Sequence, residues 1–512
     1  MTADRLLFHS PDWDFQTIQR IHDAVAEIAL GELKLDIYPN QIEIITSEQM
    51  LDAYASTGMP LFYKHWSFGK HFTASEANYR RGLMGLAYEI VINSNPCISY
   101  LMEENTTTMQ TLVIAHAAFG HNHFFKNNYL FKQWTDAEGI LPYLEFAKKF
   151  ISQCEERYGP QRVEKLLDAA HALMAHGIHR SPRRKQPDLL SEQRREQERI
   201  AHQEAIYNDL WRTTVYNDDK QPVKDVGLSQ RMALLELPQE NILYFLEKTA
   251  PRLQPWQREI LRIIRQIAQY FYPQRQTKVM NEGCATYCHY RILTRLHEKG
   301  QISDGSFLEV LQSHTNVIAQ PGFEHPAFNG FNPYALGFAM MQDIERICKE
   351  PTEEDKAWFP EIAGTGDEMA VLKDIWANYR DESFIAQYLS PHLIRKFKLF
   401  QITEDSDEPE ISVDAIHNER GYRMIRRTLS RQYDIGWQDP DIKVVDVDLA
   451  GDRRLILHHS TLQGAYLEEN GTQAVLQHLA DIWGYDVQLK EVSSVSGVTL
   501  GEFTAHPRPT FL

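Results

Sequence analysis

The sequence predicts an α+β protein that is mostly α-helical, and three observations carry that expectation. Apolar residues recur at helical spacing over long stretches, as in Phe15, Ile18, Ile21, Val25 and Ile28 and again in Ile260, Ile263, Ile264 and Ile267. Runs of β-branched residues are short, the clearest being Tyr88-Glu-Ile-Val-Ile-Asn93. Beyond an acidic, proline-containing stretch at Thr403–Glu410, strands and a helix alternate closely enough for a small C-terminal α+β module. A chain of 512 residues is too long for one small core, so the expected division is a mostly helical domain over 1–400 and the module over 411–512.

The elements follow in order. Residues 11–33 form an amphipathic helix with Asp12 or Asp14 as N-cap, and a second helix starts at Thr46-Ser47 and stops at Thr57-Gly58. Residues 63–72, aromatic and rich in turn formers, read as an irregular segment. The strand at 88–94 closes at Asn95-Pro96, and a helix follows from about Thr106 to Phe119. Another helix runs from Asp136 to Tyr158, with Gly159-Pro160 as its stop, and helical periodicity continues through Val163, Leu166, Leu167 and Leu173. Residues 179–230, basic and then of mixed charge with almost no apolar content, read as an exposed insertion, partly a solvated helix, whose basic block is a solvated face sooner than a contact for an acidic partner. Helices return at Gln239–Lys248 and Trp256–Tyr272, and one more begins directly after Pro273. Polar groups beside apolar helix starts mark Ser313–Pro321 and Asn332–Asp343, and a further helix spans about Gly366–Tyr379. In the module, Ile442–Asp448 and Arg454–His458 form a hairpin, followed by a helix at Gly471–Trp483 and a strand at Asp486–Val492.

Composition narrows the function classes. A net charge of −17 argues against nucleic-acid binding, which wants a basic surface. No apolar run approaches the roughly 20 residues of a membrane span, and no signal peptide is evident at Met1–His9. Five scattered cysteines do not form a disulfide framework, so the expected location is cytoplasmic.

Two stretches carry the chemistry: Leu112–His123, with His116, His121 and His123, and Met280–His289, with Glu282 and His289. Both read as helices with apolar flanks, and ionisable groups in such surroundings are costly unless paired or bound to metal. The reading is that the two helices face one another and hold an ion. Glu282 and His289 lie on one helix face but roughly 10.5 Å apart along the axis, so one is a ligand and the other supports it or meets substrate. A single buried histidine is more often structural than a ligand; His116 gains weight only together with His121 and the Glu282 run. His123 looks to lie at the start of an exiting loop, 124–128. Cys284 and Cys288 read as small core residues. His65, His71 and His314 are either substrate-facing or structural.

Asn281-Glu282-Gly283-x-Ala285 resembles the second metal helix of gluzincin-type zinc peptidases, where the glutamate of an N-E-G-x-A run is the third zinc ligand. That resemblance implies a zincin-like main domain, with Gly283 and Ala285 letting the helix pack closely on its partner. The first helix of such enzymes carries H-E-x-x-H. Here the spacing from His116 to His121 is i, i+5 and Ala117 stands in the place of the base. Five helical steps leave the two imidazoles about 140° apart, so either Gly120 ends the helix or a π-bulge realigns it. The resemblance thus implies His116, His121 and Glu282 as ligands of Zn2+ or another divalent transition metal, with His289 a further ligand or transition-state donor. Glu89, on the preceding strand, is the nominee for the catalytic base.

The runs Gln41–Met50, His65–Lys70, Tyr88–Pro96, His121–Asn128, Met280–Gly283, Ser313–Asn316 and Asn332–Gly337 closely resemble the stage V sporulation protein R (SpoVR) family, in the version found in non-sporulating Gram-negative bacteria. The similarity covers about residue 10 to beyond 490. In spore formers this family is linked to the spore cortex, a peptidoglycan layer, and elsewhere its members look like stress proteins. This family supplies no reaction to transfer; it is the gluzincin-like motif that implies hydrolysis of a peptide or amide bond in a peptide-like or protein substrate, in peptidoglycan metabolism or its regulation. The alternative is a non-catalytic regulator or scaffold with a structural or degenerate metal site.

Overall fold

The computed structural model describes residues 5–55, 63–67, 70, 73, 89–180, 235, 237–322, 325, 326, 328, 330–403, 412–448, 451–461 and 465–509. Tyr88, Thr57 and Gly58, His71, residues 181–230 of the charged insertion and 404–410 of the acidic stretch lie outside them. The described chain is mostly helical with small sheets, the α+β class expected. No described helix is long and apolar enough to cross a membrane. Contacts divide the chain into two units, Met1–Phe150 with Tyr270–Gln438, and Ile151–Gln269 with Asp439–Leu512.

The first unit holds both motif stretches. Its sheet has three strands: Cys97–Met102 lies in the middle, parallel to Asn40–Ile45 and antiparallel to Glu89–Ile92. The Glu89 strand is therefore an edge. It ends at Ile92 because Asn93 and Ser94 turn the chain, the Ser94 hydroxyl donating to the Pro96 carbonyl at 2.7 Å. The other two strands were not expected from the sequence. Asn40–Ile45 buries only Ile45 fully, and Cys97–Met102 has a mixed composition that favours no single period.

At the centre of the unit lies the helix Lys278–Glu298, buried over much of its length. The sequence reading starts it directly after Pro273. Instead Pro273 sits in the last turn of the helix Pro255–Gln276, and the break falls at Thr277, whose hydroxyl donates to the Pro273 carbonyl at 2.7 Å. A proline so near a helix end costs only one backbone bond and leaves the turn intact. Asp381 then caps the new helix, accepting from the backbone N–H of Val279 and Met280 at 2.8 Å each.

The first motif stretch begins as the α-helix Thr107–Val113, capped by Thr106, and widens into a π-helix over Ile114–His121. The chain then stays helical through Asn122–Asn127, so the expected exiting loop at 124–128 is a helical turn. Asn128 ends it and caps the next helix, its side chain accepting from the Leu130 N–H at 3.0 Å. His123 belongs to this packing: its Nδ1 accepts from the Asp36 N–H at 3.0 Å.

Missing side chains set the spacing of the central helices. A Cβ at Gly120 would lie 2.6 Å from the Ala285 Cα, and one at Gly283 would lie 2.7 Å from the Gly337 Cα on the helix Pro333–Lys349. The central helix therefore meets the histidine stretch through Ala285 and a third helix through Gly283.

The second unit contains a four-stranded sheet ordered Ile442–Val447, Leu455–Thr461, Val487–Ser493, Thr499–Ala505. The hairpin of the first two strands, the helix Glu469–Trp483 and the Val487–Ser493 strand match the sequence reading, with Ala450 of the turn outside the described residues. The last strand was not expected, and neither was the Arg-rich helix Glu419–Gln432 of the first unit.

The close contact at Gly120 makes a direct prediction. Gly120→Ala forces backbone apart and should lower stability by about 1–3 kcal/mol. Gly31→Ala, where a Cβ would meet nothing within 4 Å, should be neutral or mildly stabilising. Thermal unfolding of the two variants against the parent chain checks both, and equal midpoints for all three would contradict the packing argument.

Candidate metal centre

The π-helix answers the spacing problem of the first motif. With backbone bonds reaching five residues instead of four, position i+5 returns to the face of position i. The Asn122 N–H bonds the Ala117 carbonyl in this pattern. His116 and His121 consequently stand side by side, ring centroids 4.6 Å apart and planes at 90°.

Glu282 on the central helix faces both rings. Its Oε2 lies 3.7 Å from His116 Nε2 and 3.5 Å from His121 Nε2. Glu89 enters from the edge strand, its Oε1 3.7 Å from His116 Nε2. Ligand atoms of Glu89, His116 and His121 all lie within 4.8 Å of one another. Two imidazoles and two carboxylates thus meet in one buried place.

The rings are held from behind. His121 Nδ1 bonds the Asn281 Oδ1 at 2.9 Å, which leaves its Nε2 facing the carboxylates. His116 Nδ1 lies 2.9 Å from His289 Nδ1, and His289 Nε2 lies 3.0 Å from His314 Nδ1. His289 therefore has both nitrogens engaged by other imidazoles. It stands behind His116 instead of presenting a free nitrogen to the carboxylates, and His314 extends the chain of rings. Orientation of ligand histidines through their second nitrogen is the usual arrangement around bound metals.

Electrostatics follow from this crowding. Burial pushes the Glu89 carboxyl up, Glu282 adds to the rise, and His116 opposes it. Burial would raise Glu282 as well, but His121, His116 and a hydrogen bond from Tyr334 hold it below the ordinary range. His121 is pushed down to about 4, burial outweighing the pull of Glu282, so it is a neutral ring at pH 7 with its lone pair available. Burial works against protonated His116 too, yet Glu282 and Glu89 raise it above an ordinary histidine. His289 is driven well down by burial and by its histidine neighbours.

The donor set fits a divalent transition metal. His116 Nε2 and Glu282 Oε2 are buried and have no hydrogen-bond partner, a costly condition in a protein interior. Separations of 3.5–3.7 Å are too long for hydrogen bonds. They suit atoms about 2.0–2.2 Å from a shared cation. Imidazole nitrogen with carboxylate oxygen is a common zinc donor set.

Tyr334 was not singled out from the sequence. Asn332 caps the helix Pro333–Lys349 by accepting from the Tyr334 N–H at 3.0 Å, which fixes that residue at the first turn. Its ring stacks on His116 with centroids 6.4 Å apart. The signal was the cap-and-proline start Asn332-Pro333, which places the next residue at a helix mouth. Among the other nominees, Cys284 and Cys288 are buried thiols of the core and His65 bonds Ser67, so neither group contributes to the centre.

Residues 12–438 match the family model described as SpoVR like protein, and residues 440–494 match the SpoVR-like C-terminal domain. The chain is also 51% identical over 496 residues to the protein named "Uncharacterized protein YcgB" of Escherichia coli (strain K12), covering 97% of this chain and 96% of that one. No solved structure matches. With both family models together spanning nearly its whole length, the chain belongs to the SpoVR family.

Proposed function

We propose that this protein is a metal-dependent hydrolase of a peptide or amide bond, with a zincin-like main domain in which His116, His121 and Glu282 hold Zn2+ or another divalent transition ion. The observation that carries the reading is the convergence of His116 Nε2 and His121 Nε2 on Glu282 Oε2, with Asn281 and His289 fixing the rings from behind. When bound, such an ion would act as a Lewis acid toward the scissile carbonyl and toward water. His121 and His116 bind through Nε2, and Glu282 supplies the charge.

Glu89 is the general base. Ala117 stands where H-E-x-x-H enzymes carry theirs, and Glu89 reaches the same place from the edge strand. Its raised affinity for a proton suits acceptance from water and return to a leaving amine. Tyr334 donates to Glu282 and stacks on His116, and so orients two of the three ligands. The outer side of the Glu89–Ile92 strand pairs with no described strand, so an extended peptide-like substrate could add to it. A cytoplasmic location would stand against action on the assembled wall and confine the substrates to wall precursors, recycled peptidoglycan fragments or proteins.

A second reading is a regulator or scaffold whose metal site is structural. The specific observation in its favour is Ala117 in the base position, together with the depth of burial of His116 and His121. Full function in cells of the pair His116→Ala with Glu282→Gln would favour a role that needs no metal site.

Three outcomes test the proposal. Protein purified without a His tag should carry about one equivalent of a transition metal by elemental analysis; less than about a tenth, with no uptake on addition, would overturn it. Glu282→Gln and His121→Ala should lose the ion, whereas Glu89→Gln should keep it and reduce hydrolysis of an amide substrate by about 10²–10⁴-fold. Loss of metal from Glu89→Gln as complete as from Glu282→Gln would make Glu89 a ligand. Finally, a ligand must shed its proton before binding metal, and His116 holds its proton more firmly than an ordinary histidine. Metal affinity should therefore rise with pH through the histidine range and fall on acidification, as followed by competition with a chromophoric chelator.

A further inference from the structure

The second unit contains a cavity of about 310 Å³ whose lining includes Arg162, Arg252, Gln257, Asp481 and Arg508. Three guanidinium groups meet there in a chain whose net charge is −17. One is already neutralised: Arg508 binds buried Asp481 through its Nε at 2.7 Å and through its backbone N–H at 2.7 Å. Arg162 and Arg252 form no ion pair with any described carboxylate.

Arg252 is held in place without being discharged. Its guanidinium lies over the Tyr485 ring, 4.6 Å from the centroid, and Arg453 bonds the Tyr485 hydroxyl at 3.1 Å from the other end. Gly484, at φ +81°, gives the Arg252 stem its room, since a Cβ there would lie 2.6 Å from the Arg252 Cδ. Stacking on a ring leaves the N–H edge of a guanidinium open to an acceptor.

Gln257, only 4% exposed, is held at the same cavity by its Oε1, which accepts from the Gln254 N–H at 2.8 Å. The group lies in the first turn of the 22-residue helix Pro255–Gln276, whose Gln257 and Arg258 N–H groups donate to the Gln254 carbonyl at 3.0 and 3.1 Å. Arg162 and Arg252 thus bring two guanidinium forks without a carboxylate partner among the described residues to one cavity.

We propose that this cavity binds a phosphoryl dianion, free or carried by a small phosphorylated molecule. A phosphate monoester has about −1.5 to −2 charges near pH 7, matching the two free guanidiniums. Its oxygens suit the planar fork of arginine, and the cavity is at the lower end of the size range for small-molecule sites. Nothing in this site depends on the metal centre of the first unit.

Titration calorimetry of the full chain tests the site, at constant ionic strength in buffer free of phosphate. The probes are inorganic phosphate and phenyl phosphate. Saturable binding at one site is expected for at least one of them, and whichever binds more tightly identifies the source of the phosphoryl group. The double variant Arg162→Gln, Arg252→Gln should weaken it at least about tenfold. Both side chains are exposed, so this variant should keep the parent's thermal midpoint. Arg420→Gln with Arg423→Gln, on the exposed helix Glu419–Gln432, should leave binding unchanged and so exclude general attraction to a basic surface. No saturable heat with either probe, or parental affinity in the Arg162/Arg252 variant, would overturn the proposal.

Discussion

The centre of the first unit depends on how closely three backbones approach. Gly120 against Ala285 and Gly283 against Gly337 leave no space for a methyl group, so the helix carrying Glu282 is held at a fixed distance from the helices on either side. Distance alone would still leave His116 and His121 pointing apart. The π-helix supplies the missing rotation, and the two features together carry both imidazoles to one carboxylate. A looser contact or a regular α-helix would lose the convergence, which is why a small-residue seam and a rare helix type occur at the same place.

Such a cluster is expensive unless its charge is balanced. With both histidines neutral, Glu89 and Glu282 place two negative charges in a buried volume, and desolvation penalises each. The proton affinities show how the protein alone responds. Glu89 and His116 both move toward holding a proton, the direction that relieves an excess of negative charge. A divalent cation would remove the same excess while satisfying the unpartnered His116 Nε2 and Glu282 Oε2. Asp381 adds a distant constraint. Its carboxylate receives the first N–H groups of the central helix, so the helix start and hence the position of Glu282 are set from outside the cluster.

The parts of this centre that could be read from sequence were those encoded by short spacing. His116, His121 and Glu282 stand in motifs whose residue types are unusual for apolar helices, and Glu89 precedes them on a strand whose β-branched run is plain. The roles of Asn281, His314 and Tyr334 were not legible, because each depends on which way a ring or amide turns across a helix interface. His289 shows the same limit: helical spacing gave its face, but only the packing of His314 against it shows that its second nitrogen is taken. The sheet was half visible for a related reason. Its middle strand, Cys97–Met102, takes its identity from parallel pairing with Asn40–Ile45, a partner more than fifty residues away. Pro273 misled because a proline normally marks a boundary, and here the boundary falls four residues later at Thr277.

The second unit shows why the family's C-terminal segment and the chain before it are read together in physical terms. The matched segment begins at residue 440, next to the boundary between the two units after Gln438. Its sheet does not close on itself. Val444 exchanges backbone hydrogen bonds with Gln239 at 2.9 Å in each direction, so the first strand takes a partner from outside the segment. The apolar face of Glu469–Trp483, with Leu476 and Leu479 buried, packs on the helix Pro160–Ala172, and Trp483 stacks near Phe245. The lining of the basic cavity divides along the same line, Arg162 and Arg252 on one side and Asp481 and Gly484 on the other. The C-terminal segment therefore completes both a core and a charge arrangement that neither stretch of chain holds alone. That gives the unit a reason to persist as a unit, separate from the acidic histidine centre formed by the rest of the chain.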